Sequence, residues 1–128
     1  VTDVQIAVRL GREPGMDTAG MFADAIVLVD NLAMSYGISG DIKNSQSVLE
    51  YGISKEPTYP LFYYNMACGY GELNDEDNAI KWLRPAFKHK ANMIAGERLP
   101  DPMTDSSFEK FRDSEKFKKA IAEMKTVK

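Results

Sequence analysis

An internal repeat is the feature that most constrains how this chain can fold. When the 128-residue sequence is aligned with itself at an offset of about 34 residues, identical or similar residues coincide along two consecutive segments. The matched pairs are Leu32 with Met66, Ala33 with Ala67, Tyr36 with Tyr70, Asp41 with Asp75, Asn44 with Asn78, Ser45 with Ala79, Val48 with Trp82, Leu49 with Leu83, Gly52 with Ala86, and Ile53 with Phe87. A period of about 34 residues is typical of arrays in which each unit is a pair of helices.

Helical segments, separated by clusters of Gly, Pro, Asn and Asp, account for almost all of the sequence. We predict helices at about residues 4–10, 18–36, 42–55, 60–73 and 77–88, a short helix near residue 106, and a last helix capped by Asp113 or Ser114. Asp41 and Asp75 are candidate N-caps, and Ser106 with Glu109 forms a capping box. Pro85 lacks an N–H and should weaken or kink the helix that contains it.

Apolar residues recur every three or four positions, so each helix should have one buried face. In the 18–36 helix the predicted inward residues are Phe22, Ala25, Ile26, Val29, Leu32, Ala33 and Tyr36. In the next helix they are Val48, Leu49 and Ile53, and in the 77–88 helix they are Ile80, Leu83, Ala86 and Phe87. In the tail they are Phe108, Phe111, Phe117, Ile121 and Met124, while Lys118, Lys119, Glu123 and Lys125 should face water.

The repeat resembles that of the tetratricopeptide repeat (TPR) family over about residues 26–92. The positions that carry the resemblance are Val29, Leu32, Ala33, Tyr36, Ser45, Leu49, Gly52 and Pro57 in the first unit, and Tyr63, Met66, Ala67, Tyr70, Ala79, Leu83 and Ala86 in the second. Two positions depart from the family pattern, because Ala91 replaces the closing proline of the second unit and Pro85 lies inside its second helix. The resemblance implies an all-α fold, a right-handed superhelix of antiparallel helix pairs with flanking or capping helices.

This resemblance divides one domain, 1–128, into a flanking segment 1–25, repeats 26–59 and 60–93, and a cap 94–128. The tail resembles segments that close bacterial repeat arrays of this kind, and an array needs a terminal element with one apolar and one polar face. Because about three units are usually needed for stability, either the flanking helices share the core or more repeats lie upstream. The sequence begins at Val1, and we expect a processed form or part of a longer chain.

Composition and charge exclude several classes of function. The net charge of −3 argues against nucleic acid as a partner. Residues 1–60 carry eight acids and four bases, whereas residues 108–128 carry four acids and seven bases; a solvated helix face explains this better than a site for an acidic partner. The longest apolar run, AIVLV, is too short to cross a membrane. A single cysteine gives no internal disulfide, which favours the cytoplasm without fixing the compartment.

Catalysis and metal binding find little support in the sequence. Cys68 as a nucleophile needs a neighbouring base, but the only histidine, His89, belongs to the end of the following predicted helix; the alternative is a small residue on a helix. One His and one Cys do not make a soft-metal site, and the acidic cluster after Leu73 lacks the glycine and glutamate of a calcium loop. Tyr36, Tyr70 and Trp82 are interpreted as packing residues rather than a stacking site. We therefore expect no enzyme and no cofactor.

The resemblance also implies a concave groove lined by the first helix of each unit. The predicted groove residues are Val27, Asp30, Asn31 and Met34 in the first unit, and Leu61, Tyr64, Asn65, Cys68 and Glu72 in the second. Asn31 and Asn65 are equivalent and suit the backbone of an extended peptide, as in family members. The cations that clamp a peptide carboxylate in chaperone-binding members are missing, so a neutral or basic segment is favoured. Plain solvent exposure, or contact with missing helices of the chain, remains open.

The expected function is a non-catalytic scaffold or adaptor module that binds a protein or peptide in this groove. The alternative is a self-association module, forming a homo-oligomer, or a regulatory C-terminal domain of a larger protein. Exposed apolar residues such as Met21, Phe22 and Met103 would then contact a second copy.

Overall fold

A computed structural model describes residues 18–127, with side chains from residue 25 onward. Its helices are α1 (Thr18–Ile38), α2 (Ile42–Lys55), α3 (Pro60–Glu72), α4 (Glu76–Lys88) and α5 (Glu115–Lys125). Two short 3-10 helices, η1 (Lys90–Asn92) and η2 (Ser106–Phe111), lie between α4 and α5. These residues include no strand, which confirms the all-α class. The predicted helix at 4–10 and the side chains of Met21 and Phe22 lie outside the described part.

The helices begin and end within a few residues of the predicted positions, because their signals are local. Pro60 lies in the first turn of α3, where the missing N–H costs nothing. Pro85 does not end α4, which continues to Lys88. The hydrogen bond lost there is the one to the carbonyl of Lys81, a residue on the exposed side of α4 where water can replace it.

The chain divides between Pro57 and Thr58 into two compact units. In the first unit α1 packs against α2, and its described core consists of Val29, Ala33, Val48 and Leu49. The buried Ser45 donates from Oγ to the carbonyl oxygen of Ala33 at 2.7 Å. This contact satisfies the hydroxyl inside the apolar helix pair.

In the second unit α3 packs against α4, and the tail covers both helices. The 3-10 helix η2 contacts α3, and α5 contacts α4. All five apolar residues predicted for the inner face of the tail are buried: Phe108, Phe111, Phe117, Ile121 and Met124. The four charged residues predicted to face water on α5 are exposed. The tail therefore extends the hydrophobic core of the second unit.

The turns of the two hairpins have the same hydrogen-bonded geometry, one repeat apart. The N–H of Asp41 donates to the carbonyl of Tyr36 at 2.8 Å, and that of Asp75 donates to Tyr70 at 2.9 Å. The residue before each aspartate has a left-handed backbone, with φ of 85° at Gly40 and 59° at Asn74. Glycine and asparagine are the residues that adopt this conformation most readily.

The N-caps of α2 and α4 repeat the same arrangement. Asp41 accepts from the backbone N–H of Asn44 at 3.2 Å and from its Nδ2 at 2.7 Å, and Asp75 accepts from Asn78 at the same two distances. The periodicity of the sequence is thus also a periodicity of capping contacts, and both predicted caps are confirmed.

The capping box predicted at Ser106 is wrong. Asp105 is the N-cap of η2, and its carboxylate accepts from the N–H of Ser107 at 3.0 Å. The capping position therefore lies one residue earlier, and the helix that follows is a 3-10 helix. For α5 the cap is Ser114, whose hydroxyl accepts from the N–H of Phe117 at 3.3 Å.

Candidate functional site

The predicted groove residues lie on α1 in the first unit and on α3 in the second. On α1, Asn31 is exposed, Met34 is 48% exposed and Val27 is half-buried. Asp30 is only 6% exposed, so the prediction that it faces solvent is wrong. An amide and a thioether, rather than a carboxylate, are therefore the accessible groups of this face.

On α3 the accessible part of the predicted face is smaller than expected. Glu72 is exposed, and Asn65 and Cys68 are half-buried. Leu61 is 6% exposed and Tyr64 only 1%, so neither faces solvent as predicted. Both are core residues of the second unit.

Tyr64 is buried because the tail folds over α3. Its hydroxyl donates to Oδ2 of Asp105 at 2.8 Å, and its ring meets that of Phe108 edge-on, with centroids 5.8 Å apart. Burial raises the pKa of the Tyr64 phenol well above its ordinary value of 10.0, and the nearby Cys68 and Asp105 raise it further. The same carboxylate that caps η2 thus also anchors it to α3.

The approach of the tail to α3 depends on Gly71. A Cβ atom added there would lie 2.3 Å from the carbonyl oxygen of Ser107 and 3.1 Å from Cδ1 of Phe108. Real Cβ atoms essentially never come that close to backbone, so only glycine allows this packing. This role of Gly71 is not predicted from the sequence, although two glycines close to the C-terminal end of one helix are an unusual signal.

Aromatic side chains form a half-buried stack in the second unit. The ring of Tyr63 lies between that of Trp82, at 6.1 Å between centroids, and that of His89, at 6.0 Å, with both pairs close to parallel. Tyr36, Tyr70 and Trp82, interpreted above as packing residues, are each half-buried. The only histidine of the sequence is therefore part of an aromatic stack.

Within residues 18–127 no three His, Cys, Asp or Glu side chains are grouped so that they could hold a metal ion. In the same part of the chain, no helix has both the length and the apolar character required to cross a bilayer.

In comparisons with known proteins, no family model, no curated protein and no solved structure matches this chain.

Proposed function

We propose that this chain is a TPR-like module that binds a protein or peptide, without catalysis, on the exposed faces of its first-position helices α1 and α3. The repeated turn and cap geometry supports this proposal, because two hairpins built to one plan at a regular period are typical of arrays used for recognition.

Asn31 is the residue best placed for recognition. It is exposed on α1, and a side-chain amide can donate to and accept from the backbone of an extended peptide at the same time. Met34, one turn later and 48% exposed, adds a flexible apolar contact that adapts to different side chains. Asn65 is half-buried at the equivalent place on α3, so we assign it the smaller contribution.

The proposed ligand is a neutral or basic segment. The exposed carboxylate of Glu72 favours a basic side chain near α3, although an exposed pair of this kind contributes little affinity. Shape and backbone hydrogen bonds would therefore provide most of the specificity.

A peptide selected by display against the full chain tests the proposal. We expect the double variant Asn31→Ala, Met34→Ala to weaken its binding about tenfold, equivalent to about 1.4 kcal/mol. The matched control is Lys43→Ala, Glu50→Ala, which changes two exposed residues of α2 and should leave affinity unchanged. Equal affinities of the wild type and the Asn31→Ala, Met34→Ala variant would contradict the proposal.

Self-association is the second candidate function, and exposed apolar side chains favour it. Ile38 is 84% exposed at the end of α1, close to Met34. Light scattering over micromolar to millimolar concentrations separates the two candidates. A strict monomer at all concentrations contradicts self-association, whereas a dimer lost in Ile38→Ser, Met34→Ser supports it.

A further inference from the structure

An open cleft lies between the C-terminal halves of α4 and α5. The proposed function does not use it. It encloses about 360 Å³ and is lined by Arg84, Pro85, Lys88, Glu123, Met124 and Val127. This volume is at the small end of the range of ligand pockets, about 300–1,000 Å³. One or two side chains of a partner would fill it.

Two exposed ion pairs join α4 and α5, the walls of this cleft. Lys116 pairs with Asp77, and Arg84 lies 3.7 Å from Glu123. From the first ion pair to the second, the chain advances by seven residues in each helix, from Asp77 to Arg84 in α4 and from Lys116 to Glu123 in α5. The two helices therefore run parallel and in register. The side chain of Lys90 also donates to the carbonyl of Val127, which holds the chain beyond α5 against the end of the cleft.

A stripe of cations runs along the α4 side. Lys81, Arg84 and Lys88 are exposed and share one face of the helix, at spacings of three and four residues. No Asp or Glu occurs between residues 78 and 96. Among the described residues Lys81 and Lys88 have no ion pair, and the Arg84–Glu123 pair is half exposed and contributes little. The positive charges of Lys81 and Lys88 are therefore unpaired here among the described residues, in a chain of net charge −3.

The floor of the cleft is apolar. The ring of Pro85 and the side chains of Met124 and Val127 line it, and Met124 is unbranched and adapts to different shapes. An apolar cleft beside a cationic stripe is complementary to a ligand with an apolar side chain next to carboxylates.

The dimensions fit an extended peptide. The stripe spans about 10.5 Å along α4, at about 1.5 Å per residue. An extended chain covers that length in three or four residues, at about 3.3 Å each. Acidic residues at alternating positions would therefore meet the stripe. Nucleic acid fits less well, because phosphate binding needs an extended basic face and this stripe holds only Lys81, Arg84 and Lys88.

We propose that this cleft and the Lys81–Arg84–Lys88 stripe bind an acidic peptide segment of a partner protein. One apolar side chain of the segment occupies the cleft, and flanking carboxylates pair with the stripe. The surface is formed by residues of α4 and α5 and uses none of the residues assigned to α1 and α3, so it does not depend on the proposed function.

Fluorescence anisotropy of the full chain with labelled peptides tests this proposal. The probe is an acidic peptide with a central leucine between alternating aspartates, and the comparison peptides replace the leucine by alanine or the aspartates by lysines. We expect saturable binding of the leucine peptide, binding about fivefold weaker for the alanine peptide through lost apolar burial, and none for the lysine peptide. Affinity should fall as salt rises from about 0.05 to about 0.5 M.

Charge-reversed variants locate the site. Lys81→Glu, Lys88→Glu should weaken binding of the leucine peptide more than about tenfold. The matched control is Lys43→Glu, Lys110→Glu, which makes the same change in net charge at two exposed lysines outside the cleft and should change affinity less than about twofold.

Four results would overturn the proposal: no saturable binding of the leucine peptide, equal losses in the two double variants, tighter binding of a single-stranded oligonucleotide that depends on Lys81 and Lys88, or a dimer in light scattering that Lys81→Glu, Lys88→Glu disrupts. The last two would assign the surface to nucleic acid or to a second copy of this chain.

Discussion

Gly37 and Gly71 occupy equivalent positions in the two repeats, yet their surroundings differ. At Gly37 an added Cβ would make an ordinary contact, 3.7 Å from Oγ of Ser45. At Gly71 it would lie 2.3 Å from the backbone oxygen of Ser107. We expect Gly37→Ala to stabilise the protein by about 0.5–1 kcal/mol, because alanine is the better helix former. Gly71→Ala should destabilise it by about 1–3 kcal/mol, because η2 must move away from α3.

Urea unfolding of the two variants measures this difference, and each serves as the control of the other. Stabilisation by both substitutions would mean that η2 does not press against α3.

Tyr64 provides a second prediction at this scale. Tyr64→Phe should cost about 1.5–3 kcal/mol at about pH 8, because Asp105 loses a hydrogen-bond donor to its carboxylate. The folded-state pKa of this phenol is raised above 10.0, so its contribution is complete below that pH. As the pH rises further, the unfolded chain loses the proton and the folded chain keeps it, and stability falls.

The dependence of stability on pH in the alkaline range separates the contribution of Tyr64 from those of other residues. Urea unfolding at about pH 8 and about pH 11 should show a smaller decrease in the free energy of unfolding for Tyr64→Phe than for the wild type. Tyr70→Phe, at a half-buried tyrosine of the same helix, is the control and should follow the wild type. A Tyr64→Phe profile parallel to that of the wild type would mean that the phenol is not held protonated by burial.

Sequence periodicity predicts many of the buried residues of each hairpin, although Leu32 and Ile53 are only half-buried, and it does not predict the burial of Tyr64. The spacing along α3 gives the side of the helix that a residue lies on, and Ala67 and Met66 are buried as predicted. Asp105 and Phe108 cover the opposite side of α3. Both belong to the tail, which is distant from α3 in the sequence. No local pattern encodes such a contact, so the sequence predicts an exposed Tyr64.

At the scale of the helices, the caps make a prediction of their own. Two hydrogen bonds from Asn78 hold the pKa of Asp75 below its usual value of 3.8. The bond from the side chain of Asn78 has the larger effect and the bond from its backbone N–H the smaller. The stabilisation from Asp75 is therefore complete above that pH and is lost as the pH falls through the lower folded-state pKa. We expect Asp75→Ala to lower the melting temperature at neutral pH, because the first turn of α4 loses its N-cap.

Thermal unfolding followed by circular dichroism checks this, with Asp113→Ala as the control at an exposed aspartate of the turn before α5. The wild type and Asp75→Ala should converge in strong acid. A constant difference between them at all pH values would contradict a role for the charged carboxylate.

Caps are the best-predicted elements because they are local. Asp41 and Asp75 are recognisable from the residues that follow them, and Ser114 is one of two candidates for the last helix. The prediction of Ser106 in place of Asp105 is wrong because both residue types suit an N-cap. The hydroxyl of Tyr64 donates a hydrogen bond to Asp105 and holds it in place. The sequence around Asp105 does not show this contact.

At the scale of the whole molecule, the hydrophobic core is unevenly divided among the residues whose side chains are described. Of the ten largest fully buried side chains among the described residues, only Leu49 precedes Thr58. We expect a fragment of residues 58–128 to retain helical circular dichroism and to melt cooperatively, because it holds α3, α4 and the tail that covers them.

Circular dichroism and urea titration of the 58–128 fragment measure this directly. The 58–128 fragment with Phe108→Ala is the control, and it should lose its cooperative transition because Phe108 is completely buried. The absence of a cooperative transition in the unsubstituted 58–128 fragment would contradict the assignment of the core.

The class of fold is predictable at this scale, because the period of the repeat restricts the chain to helix pairs. The candidate site is less predictable from the sequence than the class of fold. Asn31, Met34 and Glu72 are exposed as predicted, whereas Asp30, Leu61 and Tyr64 are buried. The sequence does not predict the cleft between α4 and α5, because it depends on the register of two helices that are separated in sequence by a long loop.

The close seating of η2 on α3 has a consequence for anyone who wishes to lengthen this protein. A designer who adds a third hairpin after Val127 would find the side of α3 near Gly71 already covered by Ser107 and Phe108. The added unit would have to displace the tail before it could contact that side of α3.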